Sequence, residues 1–265
     1  MFQKTPKAHS SASEQPSARI WNFRPFAHVL ISLATRSEGT MNRRAFALST
    51  FASVIGLCEV VRIDGQASTI TPDLGALAEG HGLRLINRGA SRLVDGARKG
   101  VRLSEAPGEG VAFLPGIELA DGTIELDVRG KDVAQQSFVG VAFHGVDGAA
   151  YDAIYFRPFN FRATDPVSRS HAVQYHSLPV YTWQKLRADQ PGKYEQAVNP
   201  APDPNAWFRA RLVIANAQAS VFVGDAKDPC LVVKLLNDRK RGLVGLWAGN
   251  NSGGDFANLT IIPAA

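Results

Sequence analysis

The chain has 265 residues, of which 45% are hydrophobic, 20% charged and 9% aromatic, proportions that exclude a disordered, collagenous or multi-pass membrane protein. Its formal net charge of +5 is unevenly placed: residues 1–67 carry 8 Lys/Arg against 4 Asp/Glu, leaving 21 basic and 20 acidic residues for 68–265. A nucleic-acid surface needs clustered, uncompensated cations, so the balanced body of the chain argues against a nucleic-acid partner.

Residues 1–40 are polar and without sustained periodicity. At Met41 the character changes: Met41-Asn42-Arg43-Arg44 is followed by an apolar, small-residue run from Ala45 to Val61 and then by Gly65-Gln66-Ala67. A basic start, an apolar middle and a small-residue end make the plan of a secretory signal peptide, and Arg43-Arg44-Ala45-Phe46 fits the twin-arginine variety. Glu59, Arg62 and Asp64 interrupt the far end, which disfavours a membrane span. The expected organisation is therefore an extension over 1–40 that is either disordered or outside the natural start at Met41, a signal peptide over 41–67, and a domain over 68–265. The expected location is the periplasm or the exterior, with no membrane association after signal removal. Cys58 would leave with the leader and Cys230 would remain alone, so no intramolecular disulfide is expected.

From Ser68 onward, short apolar runs alternate with Gly, Asp, Asn and Pro. Leu83–Ile86, Val101–Leu103 and Val111–Phe113 come first as short strands. Thr123–Arg129 then alternates strictly, with Ile, Leu and Val on one face and Glu, Asp and Arg on the other, the period of a half-buried strand. Phe138–His144, Tyr151–Arg157, Ala172–His176, Trp207–Ile214, Ser220–Val223, Leu231–Leu235, Leu243–Trp247 and Phe256–Ile262 continue the series. About a dozen strands separated by turn signals indicate an all-β sandwich or barrel. Asp73–Ala78 offers one or two helical turns at most. Asn160–Asn205 reads differently, with six prolines, interleaved Tyr175, Tyr181, Trp183 and Tyr194, and one clear strand. An ordered loop of this length either lies over a functional surface or packs its aromatics on the sandwich edge.

The strand series Gly122–Val128, Phe138–His144, Tyr155-Phe156-Arg157-Pro158, Gln174-Tyr175, Trp183, Trp207 and Gly245-Leu246-Trp247 resembles the concanavalin A-like lectin/glucanase superfamily, and within it the bacterial exported group related to 3-keto-disaccharide hydrolase domains. The resemblance covers about residues 80–265. It implies a concanavalin A-like jelly-roll sandwich of two antiparallel sheets whose concave face meets a carbohydrate or glycoside. It also implies that a structural calcium is compatible with the fold, for which Asp255 is the single candidate metal ligand; no cofactor is otherwise expected.

Glycoside cleavage ordinarily needs two carboxyl groups. Glu125 and Asp127, two apart on one strand, share a face, but the family 16 pattern of Glu-x-Asp-x-Glu or Glu-x-Asp-x-x-Glu is incomplete, because Arg129 and Gly130 occupy the third positions. A solvated face of an antiparallel sheet explains the same alternation. Glu195, among the loop aromatics, is the third catalytic candidate: a carboxyl group beside Tyr and Trp can be turned into an acid by desolvation, or can pin the loop as an acceptor. For ligand binding, Tyr155, Arg157, Gln174 and His176 on neighbouring strands place a phenol, a guanidinium, an amide and an imidazole over one surface, with Tyr181 and Trp183 as rings to stack on sugar. His144 and His171 lack identifiable partners. Gly249–Gly254 is a turn placed to reach the ligand edge. The sequence leaves open whether the domain binds or hydrolyses a glycoside, is a non-catalytic lectin-like module, or is a structural cell-envelope module; sugar identity and oligomeric state are also open.

Overall fold

The computed structural model describes residues 68–265; the extension and signal peptide expected over 1–67 lie outside the described residues. Fourteen strands form two antiparallel sheets of seven. In chain order they are β1 (Arg84–Ile86), β2 (Ala90–Asp95), β3 (Arg98–Leu103), β4 (Gly110–Leu119), β5 (Gly122–Arg129), β6 (Val139–Gly145), β7 (Asp152–Phe156), β8 (Val173–Ser177), β9 (Glu195–Gln196), β10 (Phe208–Ala215), β11 (Gln218–Val223), β12 (Leu231–Lys234), β13 (Gly242–Ala248) and β14 (Gly254–Pro263). The first sheet runs β1-β4-β13-β6-β7-β8-β9 and the second β12-β11-β10-β5-β14-β3-β2. The chain thus passes repeatedly between sheets, and the jelly-roll sandwich expected from the sequence is the fold observed.

Period-two alternation builds the core. On β5, Ile124, Leu126 and Val128 are fully buried and meet Leu212 and Ile214 of β10 and Val221 of β11. The first sheet answers with Val139, Val141 and Phe143 of β6, Ile154 and Phe156 of β7, and Val173 and Tyr175 of β8. The outward residues of the two sheets differ sharply. On the second sheet they are charged and half-exposed. On the first, β6, β7 and β8 are buried at every position, and a second apolar cluster of Val111, Phe113, Ala142, Tyr151, Ala153, Tyr155 and Trp247 covers the outer face.

The covering material comes partly from the segment between β7 and β10. The sequence suggests a long loop with one strand there; the structure shows a 3-10 turn at Pro158–Asn160, helices α2 (Pro166–Ser170) and α3 (Trp183–Asp189), and the short β9 beside β8. Both helices start by familiar chemistry. Asp165 caps α2, accepting from the Val167 and Ser168 amides, and Pro166 occupies its first turn; the Thr182 hydroxyl accepts from the Lys185 amide in α3. Such caps suit a polar residue before a short helix. An earlier helix, α1 (Leu74–Glu79), is capped by Asp73, as the sequence allows. β2 was not expected: as an edge strand it is mostly solvent-facing, and its Ala-Ser-Arg-Leu-Val-Asp pattern carries little apolar signal.

Gly140 marks where the sheet tolerates no side chain. A Cβ there would overlap the Ile154 carbonyl and come within 2.5 Å of the Tyr155 Cα. Gly140→Ala should therefore destabilise the domain by about 1–3 kcal/mol through overpacking, measured by urea unfolding. It should also perturb Tyr155, which near-ultraviolet circular dichroism would detect. Leu126→Ala, which empties a fully buried position, should cost about 2–5 kcal/mol while leaving that aromatic signal in place.

Candidate functional site

A cavity of about 350 Å³ opens on the outer face of the first sheet, with Tyr155 and Arg157 from the end of β7, Trp247 from β13, Phe138 before β6, Glu109 before β4, and Asn160, His171, Trp183 and Arg187 from the covering segment. Asn250 and Asn251, in the turn after β13, complete one rim. The alternation that sends Ile154 and Phe156 inward sends Tyr155 and Arg157 outward, and the same rule on β8 sends Gln174 and His176 outward beside them. Register pairs Tyr155 with Gln174 and with Gly140, so the missing side chain at Gly140 leaves room for the phenol ring.

Arg157 is 5% exposed and is the hub of the polar groups. It donates to the His171 carbonyl at 2.6 Å, to the Tyr155 hydroxyl at 3.0 Å and to the Gln174 side-chain oxygen. The Tyr155 hydroxyl in turn donates to that Gln174 oxygen at 2.7 Å. Burial pushes the Arg157 guanidinium below its ordinary range and the Tyr155 phenol well above its own. Behind Arg157 lies Glu195, 2% exposed. Its oxygens accept from Arg187 Nε at 2.9 and 3.1 Å and from Arg187 Nη2, and lie 2.9 Å from His171 Nδ1 and 3.9 Å from Arg157. Burial lowers the His171 pKa despite the opposing pull of Glu195.

The other half of the floor is aromatic. Tyr155 and Trp247 lie with ring centroids 4.6 Å apart, tilted by 32°, and His176 contacts Tyr151, Tyr155 and Trp247. Trp247 Nε1 donates to the Tyr151 hydroxyl at 3.2 Å, which donates to Glu109 at 2.9 Å. Trp183 stands on α3 with the Arg187 guanidinium 5.1 Å over its ring. The Gln174 amide nitrogen and both His176 ring nitrogens are buried without a hydrogen-bond partner.

The sequence candidates separate into three groups. Tyr155, Arg157 and Trp183 line the cavity; Gln174, His176 and Glu195 lie beneath or behind it. Tyr181 does not join them: it bridges to Ser177 and packs on the interior core. Glu125 and Asp127 point from the outer face of the other sheet, where register sets Arg211 opposite Glu125 and Arg209 opposite Asp127. Arg209 donates to Glu125 at 2.9 Å, while Arg98 and Asn258 hold Asp127 at 3.0 and 2.8 Å. Asp255 belongs to that face too, clamped by Arg102 at 2.6 and 2.9 Å and by Arg129 at 2.7 and 3.0 Å. A carboxylate whose oxygens already serve two guanidinium groups does not fit a calcium ion, and no cluster of three or more His, Cys, Asp or Glu able to hold a metal occurs among the described residues.

Sequence reasoning missed Glu109 and Arg187 and treated Trp247 as a fold signature. Glu109 follows from alternation, since it precedes Val111 and Phe113 on the outer-face period of β4; Arg187 stands four residues after Trp183, one helical turn away.

No protein-family model matches the chain, and no curated protein matches it. Among solved structures it is similar to the carbohydrate-binding module CBM66 from Bacillus subtilis, at 12% identity over 68% of this chain and 94% of that one, with a TM-score of 0.49. A protein of galectin-like fold from Bacillus subtilis matches at 12% identity over 74% and 96%, TM-score 0.49. The exoplasmic/lumenal domain of VIP36, in a form bound to calcium and mannose, matches at 11% identity over 73% and 88%, TM-score 0.47. Among the described residues no helix is long and apolar enough to cross a membrane.

His176 is fully buried and its pKa is lowered from 6.5 by desolvation. The unfolded chain therefore takes up a proton at a higher pH than the folded one, so stability is complete above pH 6.5 and falls as the pH drops below it. His171 acts in the same direction. In His176→Phe the fall in unfolding free energy between pH 7 and pH 5 should be shallower than in the parent, by urea titration at each pH.

Proposed function

We propose that the chain binds carbohydrate in the cavity on the outer face of the first sheet. The observation that supports this best is the meeting of aromatic rings with a buried, hydrogen-bonded guanidinium in one cavity: the half-buried Trp183 offers a plane for sugar C–H faces above a floor of Tyr155 and Trp247, Arg157 is held in place by three acceptors, and the amides of Asn160 and Asn250 lie at the wall and rim as donors to hydroxyl oxygens. Few polar groups converging among aromatics is the usual make-up of a specific small-ligand site, and fixing them by hydrogen bonds beforehand lowers the entropy lost on binding. The carbohydrate names attached to the similar solved structures agree with this reading but do not carry it.

Hydrolysis is the second reading, favoured by two carboxyl groups, Glu109 and Glu195, on opposite sides of the same site. Binding is preferred because both Glu195 oxygens are engaged by Arg187, which leaves Glu109 as the acid that lines the cavity. In the hydrolytic case the glycoside implied by the sequence resemblance is a 3-keto-disaccharide. We further propose that the domain works outside the cytoplasm after removal of residues up to Ala67; N-terminal sequencing of the secreted protein should begin at Ser68, and a product beginning before Met41 would overturn that.

Calorimetric titration with an oligosaccharide panel tests the binding reading. Trp247→Ala and Arg157→Ala should each weaken saturable binding by about tenfold or more, the loss of roughly 1.4 kcal/mol, whereas Glu125→Gln and Asp127→Asn should leave it unchanged. Product release that disappears in Glu109→Gln would move the assignment to hydrolysis. Absence of saturable binding to every saccharide would overturn both readings.

A further inference from the structure

We infer that the saccharide taken by this cavity is acidic, a uronate-bearing oligosaccharide whose carboxylate is received between Arg157 and Arg187. The inference rests on the carbohydrate-binding reading and narrows its ligand class.

The charge on and immediately behind the cavity does not cancel. Arg157 and Arg187 line it together with Glu109. Glu195 sits behind the arginine pair. Arg88 sits behind Glu109, its guanidinium donating to the carbonyls of Gly108 at 2.8 Å and Ala248 at 3.0 Å. Three guanidinium groups thus face two carboxylates. His171 neither adds to the excess nor offsets it, because burial favours its neutral form. A partly buried excess charge is costly unless a counter-charge reaches it.

The excess is also localised. Strand order places Glu109, next to β4, and Glu195, on β9, on opposite sides of the sheet. At the Glu109 side, Arg88 and Glu109 offset each other. At the other side, one carboxylate serves two arginines, and it engages Arg187 through Nε and Nη2 while standing 3.9 Å from Arg157. Arg157 otherwise meets only uncharged acceptors: a carbonyl, a phenol and an amide oxygen. Arg187 Nη1 makes no hydrogen bond among the described residues, and its side chain remains 33% exposed. An exposed guanidinium donor without an acceptor and the uncompensated charge therefore lie at one end, which suits a carboxylate with its two acceptor oxygens. Glu109 at the far end suits the hydroxyl donors of the same sugar.

The test titrates the full chain with trigalacturonate, triglucuronate and trimannuronate and with the carboxyl-reduced form of each. At least one acidic trisaccharide should bind about tenfold or more tightly than its reduced counterpart, and added salt should narrow the gap. Arg187→Gln should abolish the preference and Arg187→Lys should retain part of it. If Arg187→Gln does not fold, judged by near-ultraviolet circular dichroism, the salt dependence of the parent protein decides. Reduced trisaccharides binding as tightly as the acids would overturn the inference and leave the carbohydrate reading standing. No binding of either form would overturn the two together.

Discussion

Burying one guanidinium organises the polar half of this molecule. Arg157 follows Phe156, whose ring belongs to the interior core, and strand alternation leaves it no choice but the outer face. There it is covered, so its charge has to be met by protein groups. It draws the Tyr155 hydroxyl and Gln174 from the sheet, the His171 carbonyl from the end of α2, and Glu195 from β9. Glu195 is itself buried and holds Arg187 on α3. The covering segment is thus tied to the floor at three places through one cation and its counter-ion. Removing one partner of such a set leaves the other buried and uncompensated, a larger penalty than the net value of the pair.

The two outer faces show what the same alternation does in different company. On the second sheet, carboxylates and arginines stand opposite one another in register; the half-exposed Arg209–Glu125 pair contributes little by itself, whereas Asp127 and Asp255 are largely covered and held by several partners. On the first sheet the outward positions are mostly Val, Phe, Ala, Tyr and Trp, with Gln174 and His176 buried among them, and covering them requires the extra segment between β7 and β10. Phe138, Tyr155 and Trp247 then gain edge and tilted contacts that hold the cavity floor in one arrangement.

Much of the sandwich was legible in the sequence, because period two survives wherever one face is apolar and the other is not: the Thr123–Arg129 run gives β5 with one residue added. The legible part fails where that contrast is lost. Ala90–Asp95 lies on an edge with little to bury, so nothing in its pattern marks a strand. Within Asn160–Asn205, two helices of five and seven residues are too short for a helical period to show, and only their caps at Asp165 and Thr182 announce them. For the candidate cavity, the placing of Tyr155 and Arg157 beside Gln174 was readable because period two sends all three to one face of the sheet. Glu125 and Asp127 carried the most recognisable carboxylate pattern and yet stand on the far sheet; spacing along one strand reports a common face but not which face of which sheet.

The cavity also sets a valency. Among the described residues, Tyr155, Trp183 and Trp247 converge with Arg157 on one side of the sandwich, and the other side presents an ionic lattice in which arginines cover Trp207 and Phe222. On the proposed reading, the described residues of one chain would engage a saccharide through this cavity. Cross-linking or tight retention on a polymeric surface would need several chains held together, and the gain would then follow the effective concentration set by their spacing.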